Sequence, residues 1–257
     1  MCTILFAYDY HPRYQLVVAA NRDEFYQRPT SPAAFWPDNP DILAGRDLKE
    51  GGTWMGITTS GRFAALTNYR DPASFKPEAR SRGHLVKDYL SSDLAPETYA
   101  ADLVDGGSSY NGFNLLMGTC QSMYYYSNRE KIIRNIPAGV HGLSNALLNT
   151  PWPKVTRGIK ALATLLQHDD IKAEQLFTMM TDREQPHDQE LPRTGVSLEM
   201  ERMLAPTFVM SPKYGTCLTT VILVERNYNV QFWERSFKDG QPDNWEEVYY
   251  QFVMNGY

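Results

Sequence analysis

Apolar residues run almost without interruption through CTILFAY (2–8) and YQLVVAAN (14–21), and the stretch between them, DYHPR, is turn-forming. Two β-rich runs around a short polar turn predict a hairpin. The pattern recurs twice: GGTWMGIT (51–58) and RFAALTN (62–68) flank TSG, and TCLTTVILVE (216–225) and VQFWERSF (230–237) flank RNYN. Further strands are predicted at 113–118, 122–127 and 139–145. Helical periodicity covers 81–92, 96–105, 153–167 and 171–181, the second opening on Pro96, and a last helix is predicted around NWEEVYYQFVM (244–254). The proline-dense stretch 26–41 predicts an irregular loop, and the polar stretch 181–197 predicts another, long enough to be a lid over a site. Strands that arrive in hairpins and helices that arrive in pairs argue against alternating βαβ winding. They predict an α+β architecture of stacked antiparallel sheets covered by helices.

Length and composition narrow the classes. A chain of 257 residues suits one domain, 1–257, with a full core. A net charge of −5 without a Lys/Arg block leaves no electrostatic footprint for nucleic acid. No stretch approaches the roughly 20 apolar residues that span a bilayer, so no integral membrane segment is expected. The first twenty residues include Asp9, His11 and Arg13, which leaves no signal sequence and predicts a cytoplasmic protein. Cys2, Cys120 and Cys217 form no CxxC pair, and the five histidines show no metal-ligand spacing. Reduced thiols and no metal site are the expectation.

The chemistry concentrates at the open end of the first hairpin. Antiparallel pairing carries Asn21, Arg22, Asp23 and Glu24 back beside Cys2. Removal of Met1 would give Cys2 both a thiol and an α-amine, a nucleophile with its own base. A guanidinium beside that thiol favours the thiolate, and a carboxylate orients the amine. Asn68 and Asn145 each end a strand-like run, where an uncharged amide can donate to an oxyanion. The catalytic candidates are therefore Cys2, Arg22, Asp23, Asn68 and Asn145. Asn21, Arg22, Glu24 and Arg70 are candidate contacts for an anionic ligand.

MCTILFAY, NRDEFYQRPT, GGTWMGI, LTNYRDP, SRGHLV, GLSNALLNTPWPKV and YGTCLTTVILV, in this order over nearly the whole chain, resemble the NRDE family, the transport and Golgi organisation proteins. The resemblance implies a four-layer αββα sandwich like that of the N-terminal-nucleophile hydrolases. It also implies a cytosolic role linked to haem trafficking and to lipid or acyl-CoA metabolism. The expected partner is thus an amphipathic small molecule, haem or acyl-CoA, with no cofactor required and with His84, His141 or a cysteine as an axial-ligand candidate for haem. The fold also resembles cysteine hydrolases such as penicillin V acylase and bile salt hydrolase. By order in the chain Cys2 matches their nucleophile, Arg22 with Asp23 or Glu24 their Arg/Asp pair, and Asn68 their oxyanion Asn, whereas Cys217 stands where those enzymes have a late Arg. The readings are a haem or acyl-CoA carrier, a cysteine amidohydrolase, and a non-catalytic structural protein.

Overall fold

In a computed structural model that describes residues 2–255, strand β1 (Cys2–Tyr8) pairs antiparallel with β2 (Tyr14–Phe25), with Cys2 opposite Arg22. Next come β3 (Thr30–Trp36), β4 (Asn39–Asp47), β5 (Met55–Thr58) and β6 (Phe63–Asn68), then helices α1 (Gly83–Leu90) and α2 (Pro96–Gly106). Strands β7 (Phe113–Gly118), β8 (Met123–Ser127), β9 (Ile133–Asn135) and β10 (Gly139–Leu143) follow. Helices α3 (Pro153–Leu165), α4 (Ala173–Met180) and α5 (Leu198–Leu204) precede the closing strands β11 (Tyr214–Glu225), β12 (Asn229–Phe237) and β13 (Trp245–Val253).

The strands make two antiparallel sheets, one in the order β10-β1-β2-β11-β12-β13 and one running β3 through β9 in sequence order. Period-two alternation divides each strand between layers. Ile4, Phe6, Val18 and Ile222 of the first sheet meet Leu43, Ile57 and Tyr125 of the second in a shared core. Leu5, Ala19 and Val221 turn the other way, onto Leu162 of α3 and Leu176 and Phe177 of α4. On the outer face of the second sheet, Ala64 and Leu115 receive Leu85 and Tyr89 of α1 and Leu103 of α2. The result is a four-layer αββα sandwich.

Two sequence expectations are corrected. Residues 26–41 are largely strand, because β3 is a sheet edge where Pro32 forfeits no partner, and its register against β4 slips at two points. The segment 244–254 is no helix: it is β13, paired with β12 along its whole length. Its half-buried Val248, Tyr250 and Phe252 alternate with exposed neighbours, so the period is two, and these β-branched and aromatic side chains suit a pleated surface. The short β9 and α5 were also not predicted.

Glu234 of β12 lies buried between the sheets, accepting from the Ala33 amide at 2.8 Å and the Thr220 hydroxyl at 3.3 Å. Burial pushes its carboxyl up to about 7. A folded-state pKa above the unfolded value means that the native state retains a proton which the unfolded chain releases, so stability falls as pH rises from about 4.5 to about 7. The Glu234→Gln variant keeps an acceptor for the Ala33 amide and should remove this fall, worth about 3 kcal/mol at full effect. Urea midpoints of both proteins between pH 4.5 and 7.5 check it; parallel curves would contradict it.

Candidate functional site

β2 outruns β1 by three residues, so its end, Asp23 to Phe25, carries on past Cys2 while β11 continues to pair with it. Alternation then sorts the polar side chains. Arg22 and Glu24 turn toward the space between the sheets; Asn21 and Asp23 turn toward the helices. Between the sheets lies a cavity of about 230 Å³, lined among others by Cys2, Arg22, Asp23, Glu24, Arg28, Asp47, Asn68, Arg80 and Arg82. Its far wall is the start of α1, brought in by a glycine pair: a methyl on Gly52 would sit 2.5 Å from the carbonyl carbon of Gly83. Only Gly at position 52 lets this backbone approach so closely.

The cavity is charged, and its positive charges outnumber their local partners. Arg28 pairs with Asp47 at 2.6 Å, Arg46 with Asp38 at 2.6 Å, and Arg22 and Arg28 share Glu24 at 3.8 and 3.9 Å. Arg82 donates to the Gly112 carbonyl at 3.1 Å and Arg80 lies over the Tyr110 ring at 5.1 Å. Neither makes an ion pair with any described residue within 4 Å. Burial holds the Arg82 guanidinium below its ordinary pKa. The Cys2 thiol faces this field, yet burial pushes it up to about 11, with Asp23 and Glu24 adding to the rise and Arg22 opposing it.

Of the candidates read from the sequence, Cys2, Arg22, Asp23, Glu24 and Asn68 line one cavity. Asp23 is buried, its Oδ1 accepting from Thr216 at 2.8 Å, and burial raises its carboxyl. Asn145 lies outside the lining: its amide donates to the Asn68 carbonyl at 2.9 Å and so holds the end of β6 in place. Asn21 is also outside, donating to the Met180 and Thr207 carbonyls at 2.9 and 3.0 Å and accepting from Thr219 at 2.6 Å. It ties the helical layer to the sheet. Arg70 is buried away from the cavity, paired with Glu201 of α5 at 2.6 Å and stacked on Trp152 at 4.9 Å. The stretch 181–197 supplies none of the cavity's lining. Cys217 sits in a β-bulge between Thr216 and Leu218, its thiol 3.4 Å from the Glu24 carbonyl.

His141 engages both ring nitrogens, with the Pro137 carbonyl at 3.0 Å and the Asn149 amide at 3.1 Å; His84 contacts the Glu50 carbonyl at 2.7 Å. Among the described residues no three His, Cys, Asp or Glu side chains cluster as a metal site, and no helix is long and apolar enough to cross a membrane. Sequence reasoning missed Arg80, Arg82, Lys154 and Glu234. The first two had a signal, since RSRG places two arginines immediately before a helix. Lys154 had none: in the first turn of α3 it reads as a solvated charge, but it is buried, donates to the Leu204 carbonyl at 3.0 Å, and is brought down to about 8 by burial.

Two antiparallel sheets between helical layers make an αββα fold like that of the N-terminal-nucleophile hydrolases. The structure of the C2A mutant of conjugated bile acid hydrolase from Clostridium perfringens superposes with a TM-score of 0.52 at 10% identity, covering 99% of this chain and 93% of that one. Residues 1–239 match the sequence profile of the family described as Transport and Golgi organisation 2. The mouse (Mus musculus) Transport and Golgi organization 2 homolog is 37% identical and the human (Homo sapiens) one 36%, each over 99% of both chains; the Drosophila melanogaster protein is 28% identical over 94% of both. The chain belongs to the transport and Golgi organisation 2 family.

Burial of Cys2 has a measurable consequence. With its pKa near 11 in place of the ordinary 9.0, the thiolate fraction at pH 7.5 is about a hundredfold lower than for an unperturbed thiol. Iodoacetamide labelling of Cys2, followed by peptide mass spectrometry, should be slower by at least that factor and rise steadily up to pH 10. Labelling at the rate of a free thiol at pH 7.5 would contradict the burial.

Proposed function

We propose that the arginine-lined cavity beside Cys2 holds the anionic head of an amphipathic small molecule, haem through its carboxylates or acyl-CoA through its phosphates, and releases it unchanged. The observation that carries this reading is the pair Arg80 and Arg82, which face the cavity and make no ion pair among the described residues. Arginine presents a planar fork of donors to carboxylate or phosphate, so an anion between these groups gains charge-assisted hydrogen bonds. Apolar side chains also line the cavity, Trp54, Leu66 and Leu218 among them, and suit the body of such a ligand. A protonated Cys2 thiol suits binding without turnover. Haem is cargo in this reading, and no resident cofactor is needed.

Titration of haem, metal-free protoporphyrin and acyl-CoA into the wild type should show binding in the micromolar range or tighter. The Arg82→Ala variant should bind roughly 10- to 150-fold more weakly, the worth of a charge-assisted hydrogen bond of about 1.5–3 kcal/mol. Absence of binding by all three ligands sinks the carrier reading and leaves the amidohydrolase and structural ones.

A second reading, a cysteine amidohydrolase, is favoured by one further observation: Cys2 and Asn68 line the same cavity with Arg22 opposite Cys2. In that reading removal of Met1 supplies the α-amine as base and Asn68 donates to the oxyanion. Its signature is hydrolysis of an acyl-amide by protein whose intact mass lacks Met1, lost in Cys2→Ala with ligand affinity retained. Fold likeness alone carries no activity.

A further inference from the structure

The two sheets have four edges, and three are closed to further pairing by features of their own. β3 carries Pro32, which has no N–H, and its register slips twice. β9 is three residues long. β10 is covered by the chain that follows it, where Asn149 donates its amide to the Gly142 carbonyl at 2.8 Å and accepts the Gly142 amide on Oδ1 at 2.9 Å. β13 has none of these protections. It runs for nine residues, WEEVYYQFV, without Pro, Gly or Lys, and pairs with β12 throughout without a register shift. None of its residues is buried, and Trp245, Tyr249 and Val253 are 41%, 46% and 64% exposed. A long, regular edge of this kind, with six apolar or aromatic side chains in nine beside Glu246, Glu247 and Gln251, is a template for another strand.

We propose that β13 pairs antiparallel with β13 of a second copy of this chain, joining two six-stranded sheets into one across a two-fold axis at Tyr249. Charge selects the antiparallel direction, in which the strand is self-complementary about Tyr249. About Tyr249, Trp245 faces Val253, Glu246 faces Phe252, Glu247 faces Gln251 and Val248 faces Tyr250, so no carboxylate meets another. Parallel, in-register pairing would set Glu246 and Glu247 each beside its twin, and like charges directly opposite are destabilising. The two-fold preserves the faces, so the half-buried Val248, Tyr250 and Phe252 of both copies extend one apolar surface while Tyr249 stacks on its twin. Such an interface is isologous and closes on itself, leaving no β13 edge for a third chain.

Sedimentation velocity should give about twice the 29.4 kDa chain mass at tens of micromolar. Tyr249→Lys opposes two ammonium groups on the axis and should shift dissociation at least tenfold toward monomer; an unchanged thermal midpoint would show that the fold persists. Register is tested by cross-linking. Residues directly opposite in an antiparallel pair have Cα atoms about 4.5–5.5 Å apart, within disulfide range, so Tyr249→Cys should oxidise to a covalent dimer. Glu246→Cys should not, since its twin lies about 20 Å along the strand. A monomer at every concentration up to about 100 µM overturns the proposal. So does a dimer indifferent to Tyr249→Lys, equal cross-linking by both cysteine variants, or an edge that takes up only unrelated extended peptides.

Discussion

The register that sets Cys2 opposite Arg22 governs the rest of the site. With β2 held between β1 and β11, the polar end of β2 cannot rotate, and each of its residues is committed to one face. A slip of a single residue would exchange the faces. The side chains of Arg22 and Glu24 would then turn to the helical layer, and those of Asn21 and Asp23 to the space between the sheets. The buried amide of Asn21 opposes such a slip, because its bonds to Met180, Thr207 and Thr219 exist only when it faces the helices. An unpaired buried amide costs roughly 1–3 kcal/mol, so the hydrogen bonds of one side chain enforce the register that positions its neighbours.

Charge is distributed on both sides of this strand, with different partners. On the helical side Arg70 and Glu201 form a buried pair, and Lys154 lies within the fields of Asp23 and Arg70. Desolvation of such groups offsets much of their mutual attraction, so this cluster is better understood as fixing where α3 and α5 sit than as a net source of stability. On the cavity side Glu24 is shared by Arg22 and Arg28, and Arg80 and Arg82 form no ion pair with a described residue. That imbalance sets the cavity apart from a closed ion network, in which every charge has an oppositely charged partner.

Uninterrupted apolar runs broken by short polar turns made the hairpins and the stacked sheets legible, because burial on two faces leaves no charged position inside a central strand such as CTILFAY. The pattern failed where burial is weak. β13 has no buried residue, and its half-buried positions are spaced by glutamates and tyrosines that a helix would tolerate equally. β3 was hidden by Pro32, whose exclusion from sheets does not extend to an edge. The neighbourhood of Cys2 and Arg22 was readable because one hairpin sets it. Arg70 and Asn145 were read as site residues because they follow strand ends, but the direction of a strand-end side chain depends on its packing partners, Glu201 and Asn68, which lie far away in sequence. Lys154 and Glu234 owe their perturbed chemistry entirely to tertiary burial, which no local pattern records.

The two readings of the cavity compete for the same electrostatic resource. A thiolate at Cys2 and an anionic ligand would both draw on Arg22 and its neighbours, and burial already outweighs the pull of Arg22 on the thiol. An anion seated among these arginines neutralises their field and places a like charge near the sulfur, and both effects raise the thiol further. Occupancy by such a ligand therefore suppresses the nucleophile, while a nucleophilic Cys2 requires the positive field to act on sulfur with the cavity occupied by a neutral acyl group. In these two readings binding of an anion and attack by Cys2 are thus alternative uses of one set of charges, and the charge of the bound group is what separates them.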